Sequence, residues 1–171
     1  LFLRSTTFSL ALKQSEHRRE YRRALLRHLP WIDRSHLGSR NPNEFRDQYG
    51  RVLNALFPEI DLLVIDEAHN FKHGFGPNVS NRNRILGLAL GHPAGASDEC
   101  SWYTPRAKRV LLLSATPFEC DYGDLYRQLD QFGFGEAELS HADDSDALCA
   151  TRLLDDEADE DARRDIVRRF L

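Results

Sequence analysis

With 171 residues, the chain has room for one domain and not for two full-sized cores. Its 41% hydrophobic and 29% charged residues fit a packed core and exclude wholesale disorder; no uncharged apolar run approaches the roughly 20 residues of a membrane span. A net charge of -4 makes no overall case for a polyanion partner, and three dispersed cysteines, Cys100, Cys120 and Cys149, lack zinc-type spacing and fit a reducing, cytoplasmic setting.

The chain begins at Leu1 and contains no methionine, so the expectation is a fragment of a longer protein. Leu1 to Leu3 reads as a short strand. Tyr21, Leu25 and Leu29 recur every four residues, which predicts a helix from about Leu12 to Leu29 with most arginines on its other faces. A loop rich in Pro, Gly, Asn and Ser follows from Pro30 to Asn43, then a second helix from Glu44 to Leu56, closed by Pro58. Leu62 to Ile65 and Val110 to Leu113 are continuous apolar runs, the pattern of strands buried on both faces of a parallel sheet. A helix from Arg82 to Leu90 lies between them. Strand, helix, strand predicts a crossover in an α/β fold, a parallel sheet flanked by helices.

Charge is unevenly spread. From Lys13 to Arg40, basic residues outnumber Asp and Glu by eight to three; from Glu136 to Asp161, eleven carboxylates face Arg152 alone. The acidic block, 136–161, reads as a solvated insertion or linker.

In open α/β sheets, ligands collect beyond the carboxyl ends of the strands. The first run ends in Asp66-Glu67-Ala68-His69. Adjacent carboxylates there suit nucleotide hydrolysis, one holding hydrated Mg²⁺ and the next polarising the attacking water. The simpler alternative is that Asp66 caps a following helix and Glu67 serves its first turn. The tetrapeptide itself should arise by chance in a chain of this length on the order of once in a thousand times. The second run ends in Ser114-Ala115-Thr116-Pro117, where Thr116, Pro117 and Glu119 have the spacing of a capping box. Ser114 and Thr116 fall on the same sheet edge as Asp66 and His69.

Val64-Ile65-Asp66-Glu67-Ala68-His69 resembles the Walker B motif of superfamily 2 helicases and translocases, of DEAD/DEAH-box type, and Leu113-Ser114-Ala115-Thr116-Pro117 resembles their motif III. Order, strand context and separation resemble the first RecA-like domain of that superfamily, a P-loop NTPase fold. Asn70-Phe71-Lys72 and Pro117-Phe118 look more like Swi/Snf-type and related bacterial DNA translocases than RNA helicases. Ile166 to Leu171 is similar to the segment that closes the first domain of Swi/Snf-type proteins. The resemblance implies an ATP-dependent motor in which Asp66 coordinates Mg²⁺ through water, Glu67 activates the hydrolytic water, and His69 connects the nucleotide site to Ser114 and Thr116, which relay its state to nucleic acid, DNA rather than RNA. Residues 1–135 then correspond to part of the first RecA-like domain, 136–161 to the insertion, and 162–171 to the start of the segment leading to domain two.

The family needs a Gly-x-x-x-x-Gly-Lys-Ser/Thr loop, whose amides and lysine hold the phosphates, and none of the 171 residues forms one. Nor is there a second RecA-like domain with its arginine finger. The expectation is a chain that alone neither binds ATP tightly nor hydrolyses it, within a parent that does both with Mg²⁺. A degenerate RecA-like module that binds nucleic acid or protein without catalysis is the competing expectation.

For nucleic acid, the candidates are Arg18, Arg19, Arg22 and Arg23, with Thr6 and Thr7 just before them and Arg82 and Arg84 as weaker ones, since Arg and Thr supply backbone phosphate contacts. A solvated basic helix face is the plain alternative. The remaining chemistries lack their frames: seven scattered histidines form no His-Glu-x-x-His helix, and Ser114 lacks a Gly-x-Ser-x-Gly elbow. Trp31 and Trp102 read as packing residues.

Overall fold

The computed structural model describes residues 8–10, 15–76, 78–116, 123–133 and 161. The Leu1 to Leu3 strand, Thr6 and Thr7, the Pro117 and Glu119 part of the capping box, Cys120, Cys149, the acidic block up to residue 160, and Ile166 to Leu171 lie outside them. The chain divides into two units, Leu1–Leu63 with Val79–Arg109, and Val64–Asn78 with Val110–Leu171. Among the described residues, no helix is long and apolar enough to cross a membrane.

The first unit is helical. Helix α1 spans Ser15–His28, and its Leu25 joins Leu29, Ile32, Leu37, Phe45 and Val52 in one buried cluster, while Tyr21 packs edge-on to Tyr49 at 5.6 Å. Inside the predicted loop, Arg34–Leu37 forms a short 3-10 turn, capped by Asp33 accepting from the Ser35 amide. Helix α2 spans Pro42–Asn54, so it starts two residues before the predicted Glu44. Pro42 reads as a loop residue in sequence, yet at the first helical position its missing N–H costs nothing, and Asn41 caps the turn by accepting from the Asn43 amide.

Helix α3, Asn81–Leu90, is buried from Ile85 to Leu90. It lies against α2 at Gly50, where a Cβ would sit 2.8 Å from the Leu88 Cβ. A side chain at 50 would force the helices apart. Gly50→Val is therefore expected to destabilise the chain by about 1–3 kcal/mol, read as a lower urea midpoint. Gly91 ends α3 at φ 95, and its absent Cβ admits Thr104 O to a position 2.3 Å from where that atom would be. Asn54, fully buried, ties these pieces together. Its Nδ2 donates to Ala89 O and Thr104 O, and its Oδ1 accepts from the Thr104 amide and Arg106 Nε, all at 2.9–3.2 Å.

Strand β1, Leu63–Asp66, pairs in parallel with β2, Val110–Leu113. The pairing opens at the bridge Ile60 with Ala107 and continues where the Leu63 amide donates to Arg109 O at 2.9 Å. That register sets Val64 beside Leu111 and Asp66 beside Leu113. Lys108 steadies the approach through Glu59 and, at 2.9 Å, Asp61. The chain is thus a mixed helix and strand fold containing a two-stranded parallel sheet.

One expectation is corrected. The strands are not buried on both faces: Leu63, Ile65, Val110 and Leu112 are half-buried, but Val64 is 49%, Leu111 46% and Leu113 44% exposed. A continuous apolar run records that both faces prefer cover; it does not supply the covering layer. In the second unit, helix α4, Gly123–Asp130, and the residue Phe132 pack on the turn after β1 through a Phe71 to Phe132 edge contact at 5.2 Å.

Candidate functional site

Where β1 ends, the chain must leave the sheet at once, and Glu67 does so in the left-handed region, φ 55 and ψ 48. Among the described residues it is the one non-glycine with positive φ. Such a conformation costs about 1–3 kcal/mol in a residue with a Cβ and persists only where its surroundings impose it. Three hydrogen bonds do so here. The Glu67 amide donates to Asp66 Oδ1 at 3.0 Å, and Glu67 O accepts both the Asn70 amide at 3.1 Å and Asn70 Nδ2 at 3.0 Å. The capping alternative fails locally: Ala68–Phe71 is a single 3-10 turn, its cap is Glu67 with no side-chain capping bond, and among the described residues Asp66 bonds only the next amide.

The turn carries the Glu67 carboxylate toward His69, whose Nδ1 lies 3.2 Å from Glu67 Oε2. The same Nδ1 lies 3.4 Å from Ser114 Oγ at the end of β2. One ring nitrogen cannot serve both partners together. Carrying a proton, it donates to the Glu67 carboxylate; bare, it accepts the Ser114 hydroxyl. Ser114 Oγ in turn accepts the Thr116 amide at 3.3 Å, so the link reaches Thr116 through its backbone. Asp66, Glu67, His69, Ser114 and Thr116 are therefore one neighbourhood, assembled because two parallel strands in register end at the same edge.

Asp66 is exposed, with one oxygen on the Glu67 amide and no hydrogen bond or ion pair among the described residues on the other. Among the described residues, no three His, Cys, Asp or Glu side chains converge on a metal position. A single open carboxylate fits Mg²⁺ that keeps its waters and is held mainly by substrate phosphates, and does not fit a cation bound by protein alone.

The basic candidates separate. Arg19 and Arg23 are exposed on α1 and Arg18 is half-buried, while Arg22 donates from Nε to Leu37 O at 2.7 Å and lies 6.0 Å from the Phe45 ring centre, bracing the fold. Arg84 is taken by Asp47, at 2.6 and 2.8 Å, and Arg82 Nε turns to Asn83 Oδ1. Arg84 thereby ties α3 to α2 and offers little to a phosphate, whereas the Arg82 contact stays within its own helix.

Sequence reasoning passed over two features. In sequence Asn70 is only part of a motif, whereas in the fold its side-chain amide joins its backbone amide in holding the Glu67 carbonyl. Cys100 Sγ lies 3.7 Å from His36 Nδ1, a pair separated by 64 positions and invisible to spacing. Burial pushes the Cys100 thiol up, the direction opposite to that of an activated thiolate. Compared with family models, curated proteins and solved structures, the chain shows no match.

Proposed function

We propose that this chain is part of the first RecA-like domain of an ATP-dependent helicase or DNA translocase. The observation that supports it most is the His69 imidazole standing between Glu67 and Ser114 at the ends of adjacent parallel strands. That is an arrangement able to sense whether the glutamate is engaged with water or with histidine. In this reading, Glu67 orients and deprotonates the attacking water, Asp66 holds Mg²⁺ through water, and His69 passes the state of Glu67 to Ser114 and Thr116. Mg²⁺ offsets phosphate charge when the nucleotide is present. The partners are ATP, DNA, and the portions of a longer parent that carry the phosphate loop and the second RecA-like domain, in a cytoplasmic setting. The uncovered Val64, Leu111 and Leu113 support a further layer of parent chain over that face.

A non-catalytic module is the second reading, favoured by the lack of a phosphate loop in these residues. Upstream coding sequence separates the two. An in-frame Gly-x-x-x-x-Gly-Lys-Ser/Thr before Leu1 supports the motor; a start codon immediately before Leu1 sinks it. For the 171 residues alone, calorimetry is expected to find no micromolar affinity for Mg-ATP, because no backbone cradle holds the phosphates. Micromolar binding would show that the site assignment is wrong.

A further inference from the structure

Gln48, Arg51 and Val52 share one face of α2, at i, i+3 and i+4, and line a cleft of about 120 Å³. Its other walls come from Ser35 and His36 of the 3-10 turn and from the segment between Ser97 and Trp102, so every lining residue belongs to the first unit. The volume is about four waters' share of the liquid and lies below the roughly 300 Å³ at which pockets for drug-sized molecules begin. Its occupant is therefore small.

Arg51 is half-buried, and its Nε is shut off from solvent without a hydrogen bond. Among the described residues its guanidinium enters no ion pair. A buried donor on a charged group is costly when left unpaired, and an anion in the cleft removes that cost. Burial pushes the Cys100 thiol and the Tyr103 hydroxyl up, and the Arg51 charge opposes the rise at both, which sets that charge beside the Cys100 wall.

Neutral donors stand around it. Gln48 Oε1 accepts the Ser39 amide at 2.9 Å, which leaves the Gln48 amide protons for the cleft. Ser97 Oγ accepts the Glu99 amide at 3.3 Å and keeps its own proton to donate. His36 Nδ1 lies 3.7 Å from Cys100 Sγ; with the thiol donating to it, a neutral imidazole carries its proton on Nε2. Trp102 holds that ring edge-on at 5.8 Å.

One carboxylate lines the same cleft. Glu99 is exposed and makes no ion pair among the described residues. An ionised carboxylate only accepts hydrogen bonds, so it repels an oxyanion without protons and bonds one that retains a hydroxyl. At neutral pH inorganic phosphate retains at least one proton and sulfate retains none.

We propose that this cleft binds inorganic phosphate, with the Arg51 guanidinium holding its charge and the Glu99 carboxylate accepting its hydroxyl. The site goes beyond the motor reading and uses none of the strand-end residues, so either can fail alone.

Calorimetry on the whole chain, in chloride buffer at neutral pH, tests it with inorganic phosphate and sulfate. Phosphate should bind, and sulfate should bind more weakly by roughly tenfold or more. Arg51→Gln should weaken phosphate roughly 10- to 100-fold, and Arg51→Lys should recover part of that, because the charge returns without the guanidinium fork. Glu99→Gln should erase the preference by raising sulfate affinity, since an amide donates to the oxygen that a carboxylate repels. Circular dichroism checks that each variant keeps the fold; should Arg51→Gln not fold, Glu99→Gln at its exposed position decides through the preference alone. Absence of phosphate binding at millimolar concentration overturns the site. Phosphate affinity unchanged by Arg51→Gln overturns it as well, by placing the ion elsewhere on the chain. Sulfate bound as tightly as phosphate, or a preference untouched by Glu99→Gln, overturns the selection of a protonated oxyanion and with it the phosphate assignment.

Discussion

In a parent chain that carries the phosphate loop, Glu67→Gln is expected to lower kcat for ATP hydrolysis by roughly 10²- to 10⁴-fold with KM little changed. The amide keeps the size of the carboxylate and its left-handed backbone but cannot take a proton from water. Nucleotide binding survives because the phosphates are held elsewhere. A companion variant separates chemistry from stability. Glu67→Gly removes the carboxylate and also relieves a backbone at φ 55, which glycine adopts freely, so it should be inactive while melting no lower than the parent. If Glu67→Gln retained full turnover, the carboxylate would have no hydrolytic role and the strand-end turn would be structural.

The second large effect is expected far from that edge. Asn54→Leu preserves side-chain volume but strips partners from Ala89 O, Thr104 O, the Thr104 amide and Arg106 Nε, which meet around a fully buried amide. Each buried group left unpaired costs about 1–3 kcal/mol, and partial rehydration spares some of it, so a loss of about 3–5 kcal/mol is expected from urea or thermal unfolding. Asn54 closes the path from α2 through the end of α3 to the segment that enters β2. The same variant should therefore raise hydrogen exchange at Thr104 and Arg106 before the rest of the unit opens. A shift below 1 kcal/mol would mean that solvent already reaches these groups.

Much of this architecture is legible locally. The four-residue recurrence of Tyr21, Leu25 and Leu29 predicts which side of α1 packs, and the two apolar runs mark β1 and β2 to within one residue at each end, because side-chain periodicity follows directly from backbone geometry. Helix starts are less legible. Pro42 and Asn41 have loop chemistry and become helix chemistry only when the turn after them forms. The candidate site divides in the same way. Asp66, Glu67 and His69 are adjacent in sequence, and their position at a strand end makes them conspicuous. The restraint of Glu67 by Asn70 depends on a left-handed turn that no propensity signals.

The amino-acid sequence by itself determined that this is a mixed helix and strand chain with polar motifs at the ends of two apolar strands, since unbroken apolar runs and strand-end polarity are local properties. Tertiary structure decided that the two strands are parallel neighbours in register, which puts His69 within reach of Ser114 across 45 positions. It also decided that one sheet face is open, that Arg84 belongs to Asp47, and that Trp31 faces water while its ring packs edge-on to Trp102. Each of those depends on which distant surface is available to cover a side chain, and side-chain chemistry states a preference for cover or for a partner without naming the segment that supplies it.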